Sequence, residues 1–153
     1  MACTPDDVFA VLSDGWSYPL WVVGAARIRD VDPSWPAVGE KIHHSVGSWP
    51  LLLDDTTSVM EVEPPRHIRL RVRAWPGGEG EVVLELTQES GGCMVTMTEQ
   101  VVKGPAALVP KAVQDAALHY RNTESLLRLS YLAENRGRKG HGVGGPAAAA
   151  GSR

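Results

Sequence analysis

Between His67 and Trp75, Ile68, Leu70, Val72 and Ala74 alternate without a break with Arg69, Arg71 and Arg73. Only an extended chain puts successive side chains on opposite faces, so this segment predicts a strand with one buried and one wet face. Val82, Leu84 and Leu86 repeat the pattern less cleanly against Glu81, Val83, Glu85 and Thr87. Val95 and Met97 repeat it again against Thr96 and Thr98. In all, six segments read as strands: 25–31, 39–47, 52–62, 67–75, 80–89 and 93–101. Gly77-Gly78 and Gly91-Gly92 supply turns and Pro64-Pro65 a sharp connection, which together predict an antiparallel meander.

Helical signals flank this block. Thr4 can cap a helix, Pro5 suits its first position, and Asp7 stands where a capping box places its acid. Val8, Val11 and Leu12 follow at helical spacing, and Asp14-Gly15 marks the stop. Tyr18-Pro19-Leu20-Trp21 predicts a second, short helix or turn. After Lys103-Gly104-Pro105 the helical period returns and runs to about Glu134, with Leu118, Asn122, Leu126, Leu129 and Ala133 on one stripe. Residues 137–153 are rich in glycine and alanine and have no apolar periodicity, so they are expected to be a disordered tail to a domain spanning residues 1–136. The fold class is α+β. An amphipathic helix must bury its stripe, and the apolar face of a curved antiparallel sheet is its only large partner. A sheet wrapped round a long C-terminal helix leaves room for a cavity.

Other function classes find little support. The chain has 153 residues, of which 43% are hydrophobic, enough to fold on an apolar core without staples. A net charge of −3 and a pI of about 5.9 argue against a nucleic-acid partner. Cys3 and Cys93 form neither a disulfide framework nor a zinc motif, and no metal or cofactor is expected. No apolar run can span a bilayer, so stable membrane insertion is not expected. No secretion signal is recognisable, which points to the cytoplasm.

The segments Asp6-Asp7-Val8-Phe9-Ala10-Val11-Leu12-Ser13-Asp14, Tyr18-Pro19-Leu20-Trp21, Val62-Glu63-Pro64-Pro65-Arg66 and Val95-Thr96-Met97-Thr98-Glu99 resemble the polyketide cyclase/dehydrase family. This is a branch of the SRPBCC or START-like group. Arg121-Asn122 with Leu126 and Leu129 is similar to part of that family's C-terminal helix. The resemblance runs from about Pro5 to Glu134 and implies the helix-grip fold. That fold serves lipid transfer, sensing, chaperoning and catalysis alike, so it does not fix a function. The family normally begins with a strand before the first helix, and here only Met1–Thr4 precede it. The usual first strand is thus largely missing, leaving the segment 93–101 as an open edge. Either the true start lies upstream, which is the expectation, or the edge is covered by another subunit in a homodimer.

His44 shares a face with Ile42 and Val46 and is expected to point into the cavity, where it can serve as an acid or base or simply bond to a neighbouring strand. Glu99 shares the parity of Val95 and Met97 and is its candidate catalytic partner, the alternative being an exposed strand end. Thr56, Ser58, Met60 and Val62 share a face, so Thr56 and Ser58 are read as cavity hydroxyls beside Met60. Asn122 interrupts the helix stripe and needs a hydrogen-bond partner, either structural or a ligand. Leu70, Val72, Met97 and Leu126 complete the expected apolar lining, and Trp21 is expected at the mouth with Trp35, Trp49 and Trp75. The arginine row reads as a solvated face neutralised by Glu81 and Glu85.

The leading expectation is a protein that binds a hydrophobic small molecule, such as a lipid, quinone or polyketide-like ring system. The resemblance implies a second, a cyclase or dehydratase using His44 and Glu99. A third is a chaperone-associated interaction module that uses the edge 93–101.

Overall fold

The computed structural model describes residues 1–48, 51–74 and 78–141. Helix α1 spans Pro5–Leu12, and a 3-10 turn at Gly15–Ser17 leads into the short α2, Tyr18–Trp21. Six strands follow: β1 Ala25–Val31, β2 Lys41–Ser48, β3 Leu51–Glu63, β4 His67–Ala74, β5 Gly78–Glu89 and β6 Gly92–Lys103. A second 3-10 turn, Pro105–Leu108, precedes the long helix α3, Lys111–His141. The strands pair antiparallel in sequence order, from β1 at one edge to β6 at the other. This is the helix-grip architecture.

Local chemistry explains the elements. The α1 capping box forms as expected: Asp7 N–H donates to Thr4 Oγ1 at 3.2 Å, and Thr4 N–H donates to Asp7 Oδ2 at 2.9 Å. Gly15 lies where a Cβ would come within 2.6 Å of Val31 Cγ1 and 3.3 Å of Ile42 Cγ1, so a residue without a side chain lets the turn sit on the sheet. Register shifts between Val59 and Glu61 and between Glu79 and Gly80 bend the long strands, as bulges do. The core joins Val8, Val11 and Leu12 of α1 to Ile42, Val59, Ile68 and Leu84 of the sheet and to Leu129 and Ala133 of α3.

Three sequence expectations are corrected. Helix α3 continues past Arg136 to His141, because Gly137 packs there: a Cβ on it would lie 3.1 Å from Asp7 Oδ2 and 3.5 Å from Cys3 Cβ. The rest of the expected tail, from residue 142, lies outside the described residues. On β3, the bulge leaves Met60 without a register partner and reverses the parity, so that Asp55, Thr57 and Val59 are the buried set in place of Thr56, Ser58 and Met60. In the arginine row, Arg69 and Arg71 pair with Glu81, and Arg69 also with Glu61. Glu85 instead faces His67 in register.

The open edge is tied at one point. Met1 N donates to Cys93 O at 2.9 Å, and Cys93 N–H donates to Met1 O at 3.0 Å. Among the described residues no other strand flanks β6 on that side. Both cysteines are buried and free. No helix among the described residues is long and apolar enough to cross a membrane.

Candidate ligand-binding cavity

Between the concave face of the sheet and α3 lies a largely apolar cavity of about 180 Å³. Trp21 and the connector Val22–Gly24 form one wall. Val46, Leu70, Val72, Val82 and Met97 form the sheet side, and Arg121 and Ser125 the helix side. Gly24, Arg73 and Arg121 combine lining positions with solvent exposure, which places the mouth between them.

The polar groups of this cavity are held in two sets. In the first, Thr57 Oγ1 lies 2.9 Å from the Tyr18 hydroxyl and 3.0 Å from His44 Nε2, and the His44 and Tyr18 rings stack with centroids 5.4 Å apart. Tyr18 also meets Trp21 edge-to-face at 5.5 Å. His44 is 1% exposed, and burial lowers its pKa below the ordinary 6.5 despite the opposing Asp55 carboxylate. Its imidazole is therefore neutral at pH 7. Burial pushes the Tyr18 phenol up to about 12. In the second set, the Glu99 carboxylate, 6% exposed, is ion-paired through Oε1 with Arg121 of α3. Ser125 Oγ accepts from Val23 N–H at 3.2 Å and ties the connector wall to the helix.

Of the residues expected from sequence, Trp21, His44, Leu70, Val72, Met97 and Glu99 line this one cavity. His44 and Glu99 share it, but their hydrogen bonds go to Thr57 and Arg121 and not to each other. Thr56, Ser58 and Met60 are not on its wall, for the parity reason above. Asn122 and Leu126 lie one position round the helix from Arg121 and Ser125, which take their places. Trp35 sits elsewhere, donating from Nε1 to Leu12 O at 3.0 Å, and Trp49 and Trp75 lie outside the described residues. Sequence reasoning missed Tyr18, Thr57, Arg121 and Ser125. Tyr18 and Arg121 lie within segments that resemble the family, and the spacing Arg121, Ser125, Leu129, Ala133 was the available signal for Ser125. Among the described residues no group of three His, Cys, Asp or Glu side chains could hold a metal ion.

A family model described as polyketide cyclase/dehydrase and lipid transport matches residues 1–134. The chain belongs to that family. Among solved structures, a protein of Nitrosomonas europaea has a TM-score of 0.68 at 17% identity, covering 88% of this chain and 90% of that one. A protein of Rhodobacter sphaeroides reaches 0.67 at 23% identity, with 88% of each chain covered. The di-domain ARO/CYC StfQ of the steffimycin biosynthetic pathway gives 0.65 at 14% identity, over 93% of this chain and 49% of that one. At these identities the likeness establishes the fold alone. No curated protein matches the chain.

Proposed function

We propose that this family member binds a hydrophobic small molecule, of the lipid, quinone or polyketide-like kind, between the sheet and α3. The observation that carries this reading is the apolar cavity itself, which lies beside the core between the sheet and α3. Well-packed interiors hold few voids larger than a water molecule, and ligand pockets combine apolar walls with a few placed polar groups. An apolar cavity of about 150 Å³ is known to stay dry and take up benzene, so this one suits a single ring or a short chain. Larger ligands would extend through the mouth beside Gly24 and Arg73.

Native mass spectrometry of the protein purified from its own host tests the reading, followed by extraction of whatever is bound. A stoichiometric apolar adduct is the expected result. A clean apo mass, together with no thermal shift across a panel of lipids, quinones and ring compounds, would sink it.

A cyclase or dehydratase is the second reading, favoured by the neutral His44 oriented by Thr57 in the same cavity as Glu99. Loss of turnover with retained binding on replacing His44 or Glu99 separates catalysis from carriage.

A further inference from the structure

Three residues that line this cavity each carry a buried polar atom with no hydrogen-bond partner: Trp21 Nε1, His44 Nδ1 and Glu99 Oε2. Native proteins leave few such groups unpaired, because each forfeits its hydration for nothing in return. The remaining unpaired atoms among the described residues stand apart. Arg69 Nε and Arg71 Nε belong to guanidinium groups already paired with acids, and Asn122 is not on the cavity wall. Their concentration around one cavity points to a partner that occupies it.

The chemistry of the three atoms defines that partner. An indole N–H only donates, so Trp21 asks for an acceptor oxygen. The Glu99 carboxylate, paired with the Arg121 guanidinium through Oε1, offers only acceptors, so Oε2 asks for a hydroxyl or N–H donor. His44 Nε2 is engaged by Thr57, so Nδ1 takes whichever role its tautomer leaves. Charge narrows the choice further. Glu99 is offset by Arg121, His44 is neutral and Arg73 stands at the exposed mouth, so an ion in the buried part of the cavity would find no uncompensated opposite charge beside it. The volume of about 180 Å³ limits the buried portion to about one ring.

We propose that the cavity selects a neutral, single-ring molecule carrying both a hydroxyl donor and an acceptor oxygen, in preference to a plain hydrocarbon or a carboxylate. This rests on the cavity being a ligand site and names the class of ligand. Trp21 supplies the donor to the ligand's oxygen, and Glu99 Oε2 accepts from its hydroxyl.

Isothermal titration calorimetry with toluene, 4-hydroxyacetophenone and benzoate tests it on the unaltered protein. The hydroxy-ketone is expected to bind about ten-fold more tightly than toluene, since sites built around polar groups discriminate strongly against analogues lacking them. Benzoate is expected to bind more weakly than either. In Trp21→Phe, which keeps an aromatic ring and removes the donor, affinity for the hydroxy-ketone should fall about five-fold while toluene is unchanged. Equal affinities for toluene and the hydroxy-ketone would overturn the proposal and leave the cavity reading standing, with water serving the three atoms. A preference for benzoate would overturn it in favour of an anion site. Failure of every probe to bind would overturn the proposal, and the cavity reading would then be decided by the native mass spectrum and the wider ligand panel.

Discussion

The hydroxyl of Thr57 lies 3.0 Å from His44 Nε2 and is the only partner of that nitrogen among the described residues. The same oxygen meets the Tyr18 hydroxyl at 2.9 Å, so one small side chain on β3 serves two buried polar groups from α2 and β2. Replacing Thr57 by the isosteric Val leaves both groups unpaired. The expected loss is about 2–4 kcal/mol, from the cost of unsatisfied buried polar groups. Ser58→Ala, on the opposite face, should change stability by no more than about 0.5 kcal/mol. Urea denaturation of the two variants checks the pair, and similar losses in both would mean that the parity of β3 is wrongly assigned.

His44 also makes stability depend on pH. Its folded-state pKa is lowered by burial, so below about 6.5 the unfolded chain binds a proton that the native state refuses. The contribution is therefore complete above the unfolded value near 6.5 and is lost as the pH falls from there towards the folded value. His44→Gln removes this titration. The urea midpoint of the unaltered protein should drop more between about pH 7.5 and pH 5.5 than that of His44→Gln. The other histidines, including His43 beside Asp32 and His67 beside Glu61, are common to both proteins and cancel in the comparison. Parallel pH profiles would show that His44 is not the group responsible.

The fold was legible because its main signals are periodic. The unbroken alternation on β4 placed Leu70 and Val72 inward, and helical spacing placed Leu129 and Ala133 in the core. Reading β3 inward from Val62 failed at one residue, since the bulge at Met60 inserts an extra position and turns Thr57, not Thr56 or Ser58, to the core. Such a bulge is set by how the sheet must curve round α3, which is tertiary information. The end of α3 was misjudged for a related reason. Glycine is a poor helix former taken alone, but Gly137 is needed where α3 crosses the Asp7 cap. The polar side of the cavity was hidden because a stripe drawn through apolar residues passes beside Arg121 and Ser125.

Among the described residues, Arg121 is the one hydrogen-bond partner of the Glu99 side chain, and the carboxylate is buried where the guanidinium is not. Arg121→Met should therefore cost more than an ordinary surface substitution, about 2 kcal/mol, discounted from the fully buried case because Arg121 is 39% exposed at its side chain. Most of that loss would come from the stranded Glu99. Adding Glu99→Gln to Arg121→Met should then restore part of the stability, and a double-mutant cycle measures how much. Strictly additive losses would show that the pair is not coupled.

Ser125 joins the helix to the cavity rim. Its Oγ accepts from Val23 N–H at 3.2 Å, between α2 and β1. Ser125→Ala would leave that amide without its acceptor at a cost of about 1 kcal/mol. A loss of that size is too small to unfold the domain, so its effect should be local. Hydrogen exchange at Val23 should accelerate about five-fold while amides in β4 and β5 keep their protection. Because Val23 lines the cavity beside Trp21, a loosened connector should also speed ligand release more than it slows entry. Unchanged exchange at Val23 would show that the connector is held by its packing and not by Ser125.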